Sequence, residues 1–165
     1  MKLNEDNFLK VLKENQGIIL KIVNSYCKKI EDRDDLIQEI TIQLWKSWKN
    51  YNSDYKISTW MYRIALNVAI TFYRKTSRKE TLIQPLKEEL VFVHNNEDID
   101  LSESVKQLYY FISKFNALNK ALILLYLDQY SYEEIASVLG ISKTNVSTKI
   151  SRIKMHLKKE FNLKK

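Results

Sequence analysis

Ser131-Tyr132-Glu133-Glu134-Ile135-Ala136-Ser137-Val138-Leu139-Gly140-Ile141-Ser142, running on into Lys143–Leu157, is the stretch whose reading decides the fold. Ser131 with Glu134 three residues later is a capping-box pattern, and Ile135, Ala136 and Leu139 form a short apolar face behind it. Gly140 suits the left-handed position that ends a helix. Ser142 can cap the helix that follows, along which Val146, Ile150, Ile153 and Leu157 recur at helical spacing as a stripe for a core. The pattern predicts a helix-turn-helix. The opposite face of its second helix carries Lys143, Thr144, Asn145, Ser147, Thr148, Lys149, Ser151 and Arg152. Short hydroxyl and amide groups suit base edges, and Lys and Arg suit phosphates, so this face has the chemistry needed in a DNA major groove.

Charge supports that reading. Ser142 to Lys165 holds eight cations and one acid, Glu160, a balance of +7 that equals the balance of the whole chain. Residues 1–141 therefore sum to zero, and the basic character belongs to the last helix. Such a local field is a footprint for a polyanion. The plain alternative, a solvated Lys-rich terminal helix, does not account for the capped turn in front of it.

The 165 residues hold only 2 Gly and 1 Pro, which argues against a turn-rich β fold and for an all-α one. No apolar run reaches the roughly 18 residues of a membrane span, and Met1-Lys2-Leu3-Asn4-Glu5-Asp6 does not read as a signal peptide. The expectation is a cytoplasmic protein that is not membrane-embedded. The single cysteine, Cys27, falls in an apolar-periodic stretch and reads as buried packing. His94 and His156 lack ligand spacing, so no metal or cofactor is expected.

Two helical blocks flank an acidic segment. From Leu82 to Ser104 the acids Glu88, Glu89, Glu97, Asp98, Asp100 and Glu103 face only Lys87, and Pro85 and Asn95-Asn96 interrupt the periodicity. Residues 80–101 are read as a linker between small domains at 1–79 and 102–165, with Leu90–Val93 as a candidate docked segment. Fully extended, its 22 residues reach roughly 75 Å, about two turns of DNA.

In the first block, Asp6 to Ile30 reads as an amphipathic helix or helix pair with Phe8, Leu9, Leu12, Ile18, Ile19, Ile22, Val23 and Tyr26 as core. Asp32–Trp48 follows, with Leu36, Ile37, Ile40, Leu44 and Trp48 on one face and acids at its start that suit the helix dipole. Asp35, Gln38, Glu39 and Gln43 project together elsewhere, as ordinary wet surface or as a protein-docking ridge. After the loop Asn50–Ile57, the segment from Lys56 to Lys79 carries six cations and no acid. Met61, Ile64, Ala65, Val68 and Phe72 are the expected buried stripe, leaving Asn67, Thr71 and Arg74 outside with Arg63 beside them. Basic groups with interleaved aromatics, Tyr51 and Tyr55 in the loop among them, suit single-stranded nucleic acid. Trp60, Tyr62 and Tyr73 read equally well as core aromatics.

The order Asp34-Asp35-Leu36-Ile37-Gln38-Glu39, then Thr59-Trp60-Met61-Tyr62-Arg63-Ile64-Ala65-Leu66-Asn67, then Leu118, then Ser131-Tyr132-Glu133-Glu134-Ile135-Ala136 resembles the extracytoplasmic function group of bacterial sigma factors, in the sigma-70 family. The resemblance covers nearly the whole chain. It implies a non-enzymatic subunit that joins core RNA polymerase and directs promoter-specific initiation. Asp35, Leu36, Gln38 and Glu39, with Gln43 beside them, stand where the family docks on the clamp helices of the largest subunit; the other domain would meet the beta flap. The loop, with Tyr51, Asn52, Ser53, Tyr55 and Lys56, matches the segment that captures a base flipped from the melted non-template strand of the minus-ten element. Arg63 and Asn67 match strand-opening positions on the adjoining helix, and Thr71 and Arg74 extend that surface. Trp60 is assigned mainly to packing. Lys143–Arg152 matches the helix that reads the double-stranded minus-thirty-five element. The group is commonly held inactive by an anti-sigma factor, which the resemblance implies as a further partner. One departure is Asn119, in place of the proline that usually follows Leu118; Asn is expected to cap that helix instead.

Two other readings follow from the residues. A helix-turn-helix repressor or activator would bind its operator without polymerase. A metal-dependent nucleic-acid hydrolase would use Asp34, Asp35 and Glu39, although acids at a helix start are more simply dipole partners.

Overall fold

Each helix of this chain is fixed by which of its faces is taken out of water, and the sequence cuts the helices at polar breaks. The structure, a computed structural model, describes residues 5–80 and 102–162. Among these there are eight helices: α1 (Glu5–Glu14), α2 (Gln16–Tyr26), α3 (Ile30–Trp48), α4 (Ile57–Glu80), α5 (Glu103–Ser113), α6 (Ala117–Leu127), α7 (Tyr132–Leu139) and α8 (Lys143–Asn162). The chain divides into two units, Met1–Asp100 and Leu101–Lys165. The acidic segment read as a linker lies outside the described residues apart from Glu80, the last residue of α4.

The first unit is built on α3 and α4. Leu36, Ile40, Leu44 and Trp48 of α3 are buried, as their spacing predicts, and α4 packs against both α2 and α3. Because α4 meets two helices, its buried stripe is rotated from the expected one. Met61, Tyr62, Ala65, Leu66 and Ala69 are sunk, whereas Ile64, Val68 and Phe72 are only half-buried. Burying each larger side chain contributes about 1.5–3 kcal/mol, so the stripe outweighs the weak helix propensity of its β-branched and aromatic neighbours.

The opening segment is a helix pair, broken where the Asn15 side chain donates to the Val11 carbonyl at 2.9 Å. Phe8, Ile19, Ile22, Val23 and Tyr26 are core, but Leu9 is 53% exposed, because none of the described helices covers that side of α1. Cys27 is buried beside Arg33, which is itself fully buried. The Arg33 guanidinium donates from Nε and Nη2 to the Cys27 carbonyl at 3.4 and 3.3 Å, tying the α2–α3 turn. Burial lowers the Arg33 pKa, an effect that the neighbouring Cys27 partly opposes.

In the second unit, α6 is the hub. Ala121, Leu122, Ile123, Leu124 and Leu125 are consecutive and all buried, because α5, α7 and α8 surround it. Val146, Ile150 and Ile153 of α8 and Ile135 and Val138 of α7 close the core. Val138 therefore takes the inward place expected for Ala136 and Leu139, which are half-buried. The start of α6 also differs from expectation. Asn116 is the cap, its side-chain oxygen accepting the Asn119 backbone N–H at 2.9 Å. Asn119 is thus the capped residue and not the cap, and it supplies an N–H that proline lacks.

The helix-turn-helix depends on two local devices, so two substitutions test it. Ser131→Ala should cost about 1 kcal/mol by loss of the cap. Gly140 has φ +66° with nothing within 4 Å of a built Cβ, so Gly140→Ala should cost about 1–2 kcal/mol from backbone conformation alone. Thermal unfolding of the full chain checks both.

Candidate nucleic-acid interface

In the second unit the turn is closed on both sides. The Ser131 Oγ accepts the Glu134 N–H at 3.2 Å while the Glu134 carboxylate accepts the Ser131 N–H at 2.8 Å, a complete capping box. The chain leaves α7 through left-handed Gly140, and the Ser142 Oγ accepts the Asn145 N–H at 3.1 Å, satisfying the first turn of α8. With Val146, Ile150 and Ile153 sunk, the opposite face is forced outward. Lys143, Thr144, Asn145, Ser147, Thr148, Ser151 and Arg152 are exposed, and Lys149 is half-buried at the edge.

Not every cation on this helix is available. Lys143 Nζ donates to the Glu133 carboxylate of α7. That hydrogen bond is the main reason the Glu133 carboxyl sits below its usual range. Lys154 stands 4.3 Å from the centre of the Tyr126 ring, and its ammonium pKa is raised chiefly by a hydrogen bond to the Tyr126 oxygen. Charge counting in the sequence cannot register these commitments.

In the first unit the expected residues fall on two connected surfaces. In the loop between α3 and α4, Tyr51 stacks on Trp48 at 5.6 Å with an interplanar angle of 1°, and its ring lies 5.2 Å from Trp60. Its hydroxyl donates to the Tyr55 carbonyl at 2.6 Å. One face of Tyr51 is therefore spent on packing, and Trp60 belongs to the same aromatic stack. Tyr55 is 66% exposed and presents an open ring. Asn52 folds the loop as an Asx turn, its Oδ1 accepting the Asp54 N–H at 3.0 Å, with Ser53 and Lys56 exposed beside it. On α4, Arg63, Asn67, Thr71 and Arg74 are exposed, and the Thr71 hydroxyl donates to the Asn67 carbonyl at 2.9 Å.

A groove of about 880 Å³ runs between α3 and α4. One wall carries Asp35, Gln38, Glu39 and Gln43; the other carries Asn67, Thr71 and Lys75; Ile42, Ile64, Val68 and Phe72 are among its apolar lining. The ridge expected for a protein and the face expected for nucleic acid thus border one cleft. The Gln43 amide donates to the Glu39 carboxylate at 2.9 Å, fixing part of the ridge. Leu36 is fully buried, so it holds the ridge from behind and offers no contact surface. Ile42 and Trp45, 45% and 44% exposed, lie off the main stripe of α3, and sequence periodicity did not single them out. Their signal was present as apolar residues outside the a/d-like rows.

Among the described residues no group of three or more His, Cys, Asp or Glu side chains gathers to hold a metal ion, and no helix is long and apolar enough to cross a membrane.

Comparison with known proteins places both units. The family model described as Sigma-70 region 2 matches residues 11–79, and the model described as Sigma-70, region 4 matches residues 116–157. The ECF RNA polymerase sigma-E factor of Escherichia coli (strain K12) is 29% identical over 132 residues, covering 73% of this chain and 69% of that protein. The RNA polymerase sigma factor YlaC of Bacillus subtilis (strain 168) is 29% identical over 141 residues, covering 79% of this chain and 78% of its own. In fold, the chain is similar to the sigma factor RpoE solved in complex with the anti-sigma factor NepR from Bartonella quintana, with a TM-score of 0.69, 18% identity and 98% of each chain covered. It is likewise similar to CnrH in complex with the cytosolic domain of CnrY, with a TM-score of 0.68, 19% identity and 98% and 92% covered.

The Glu133–Lys143 pair gives the second unit a small, solvent-screened acid response. A carboxyl whose pKa is depressed by folding contributes stability above the ordinary carboxylate range and loses it as pH falls through the folded value. Stability should decline on acidification below that range, and Glu133→Gln should remove its share of the slope, as read by thermal unfolding across the acid limb.

Proposed function

The chain belongs to the sigma-70 family, as an extracytoplasmic function RNA polymerase sigma factor that directs transcription initiation without being an enzyme, and from that premise we propose how the work is divided among its residues. Residues 1–79 dock on the clamp helices of the polymerase largest subunit and open the minus-ten element. Residues 102–165 meet the beta flap and read the minus-thirty-five element, and residues 80–101 join the two.

The observation that carries this division is that α8 is seated by its apolar stripe with a polar, cationic face outward, while the polar ridge of α3 and the outer face of α4 border one groove. Asp35, Gln38, Glu39 and Gln43 are the polymerase contacts. Leu36 acts through the packing that holds them. Tyr55, Lys56, Asn52 and Ser53 form the loop that receives an extruded base of the non-template strand, with Tyr51 as its rigid back wall. Arg63, Asn67, Thr71 and Arg74 carry the strand along α4.

Opening the duplex costs a few kcal/mol for a flipped base, which a protein offsets by stacking and hydrogen bonding that base. Stacking on an open aromatic contributes about 1–3 kcal/mol per base, enough to hold one base out but not to melt a promoter unaided. Selection by this chain and the far larger binding surface of polymerase are thus both needed. On α8, Thr144, Asn145, Ser147, Thr148 and Ser151 lie where base edges pass, and Lys149 and Arg152 meet phosphates.

An anti-sigma factor is the expected regulator, since the similar sigma factor RpoE was solved in complex with the anti-sigma factor NepR, and CnrH in complex with the cytosolic domain of CnrY. The chain acts in the cytoplasm, where polymerase and promoter are.

Run-off transcription with purified core polymerase on fragments of the source genome tests the reading, because specific products appear only if the chain joins the enzyme. In a holoenzyme–promoter binding titration over a range of salt concentrations, Lys149→Ala with Arg152→Ala should flatten the salt dependence by about 1.8 in log–log slope. Tyr55→Ala should weaken binding to a single-stranded minus-ten oligonucleotide by about tenfold while leaving duplex binding unchanged.

A further inference from the structure

Lys143 is the first residue of α8, the end of the second helix that lies nearest base edges in this motif. A free lysine there is a flexible point charge on a four-carbon stem, able to reach phosphates of any sequence. Such contacts add affinity without discrimination. In this chain the ammonium is held by the carboxylate of Glu133, ten residues earlier, on the first turn of α7. Glu133 suits that place for its own reason, because a carboxylate near a helix N-terminus is stabilised by the exposed N–H groups. Both side chains are more than half exposed, 61% and 63%, so the pair adds little to the stability of the fold. No carboxylate holds Lys149 or Arg152 in this way among the described residues.

We infer that Glu133 is a specificity-setting positioning residue: by holding Lys143 across the turn it withdraws that cation from the phosphate backbone and leaves Thr144, Asn145, Ser147 and Thr148 to govern the base-reading end of α8. This rests on the reading of α8 as the minus-thirty-five helix.

The test uses the full chain and a mixed-sequence DNA duplex, with affinity measured by fluorescence anisotropy over a range of potassium chloride concentrations. Lys143→Ala should leave the salt slope of the wild type unchanged, because the cation it removes is already committed. Glu133→Gln should tighten binding several-fold at low salt and steepen the slope by about 0.9, the release of one further counterion. The double variant should return to the wild-type slope. The inference is overturned if Lys143→Ala alone lowers the slope by about 0.9, or if Glu133→Gln leaves it unchanged. The Lys143→Ala arm keeps Glu133 in place, so it decides the matter even if Glu133→Gln folds poorly. Wild-type binding with no salt dependence at all overturns this inference together with the DNA-binding reading of α8. A specific run-off product alongside additive slopes would retain the function and reject only the role of Glu133.

Discussion

The seating of Val146, Ile150 and Ile153 in the core of the second unit is the contact on which its chemistry depends. A helix has no orientation of its own; it acquires one when a single stripe is removed from water. Once three β-branched side chains are sunk beside α6, the rest of α8 has no choice of face. Polar residues that would otherwise be ordinary surface become an ordered array. The capping box, Gly140 and Ser142 then determine where along the chain that array begins, which matters because the first turns of such a helix lie deepest in a groove.

The same constraint works differently in the first unit, where α4 lies against two helices instead of one hub. Burial of Met61, Tyr62, Ala65, Leu66 and Ala69 turns Ile64, Val68 and Phe72 partly outward. That rotation creates the groove. Its lining is apolar where a partner's side chains can settle and polar at the rims, with acids along α3 and Lys75 and Lys79 along α4. A surface with opposite charge on its two margins discriminates among ligands by orientation as well as by sign. Residues assigned to protein docking and to the melted strand share this cleft, so whatever occupies one wall alters the electrostatic field at the other. On the proposed division of roles, binding of polymerase and of single-stranded DNA would be coupled by position alone, with no conformational relay required.

Much of this was legible in the residues because the signals were local and redundant. Ser131, Glu134 and Gly140 each specify a backbone geometry, and they agree. The stripe of α8 and that of α3 repeat often enough for periodicity to place them. What escaped depends on tertiary neighbours. Leu9 has the spacing of a core residue, yet none of the described helices covers it, and Leu36 belongs to a contact motif by resemblance but is buried. Phe72, expected in the buried stripe, is only half-buried, and Tyr62, which read equally well as core, is fully sunk, because two packing partners rotated the stripe. Asn119 was expected to cap a helix whose cap is Asn116, three residues earlier. Arg33 gave no signal at all, since a cation among acids at a helix start reads as surface, whereas here it is buried to tie down the Cys27 carbonyl.

Charge was the least faithfully legible property, for a reason that bears on function. Net charge counts cations; affinity for a polyanion counts cations that are free to release counterions. Within the second unit Lys143 is held by Glu133, Lys154 lies on Tyr126, and Lys114 is shared between the Tyr110 ring at 4.4 Å and Glu160 at 3.8 Å. Lys143 and Lys114 thus face carboxylates within the protein, while Lys154, on a neutral ring, is held in place but keeps its charge. On α8 only Lys143 is neutralised by a carboxylate, so the field is lowered at the start of that helix and is carried along the rest of its described length by Lys149, Arg152, Lys154, Lys158 and Lys159. A protein that must leave most of the genome unoccupied gains from this arrangement. Reducing the sequence-independent attraction raises the share of binding decided by base edges, and it leaves the remaining attraction to be supplied by the polymerase that the chain joins.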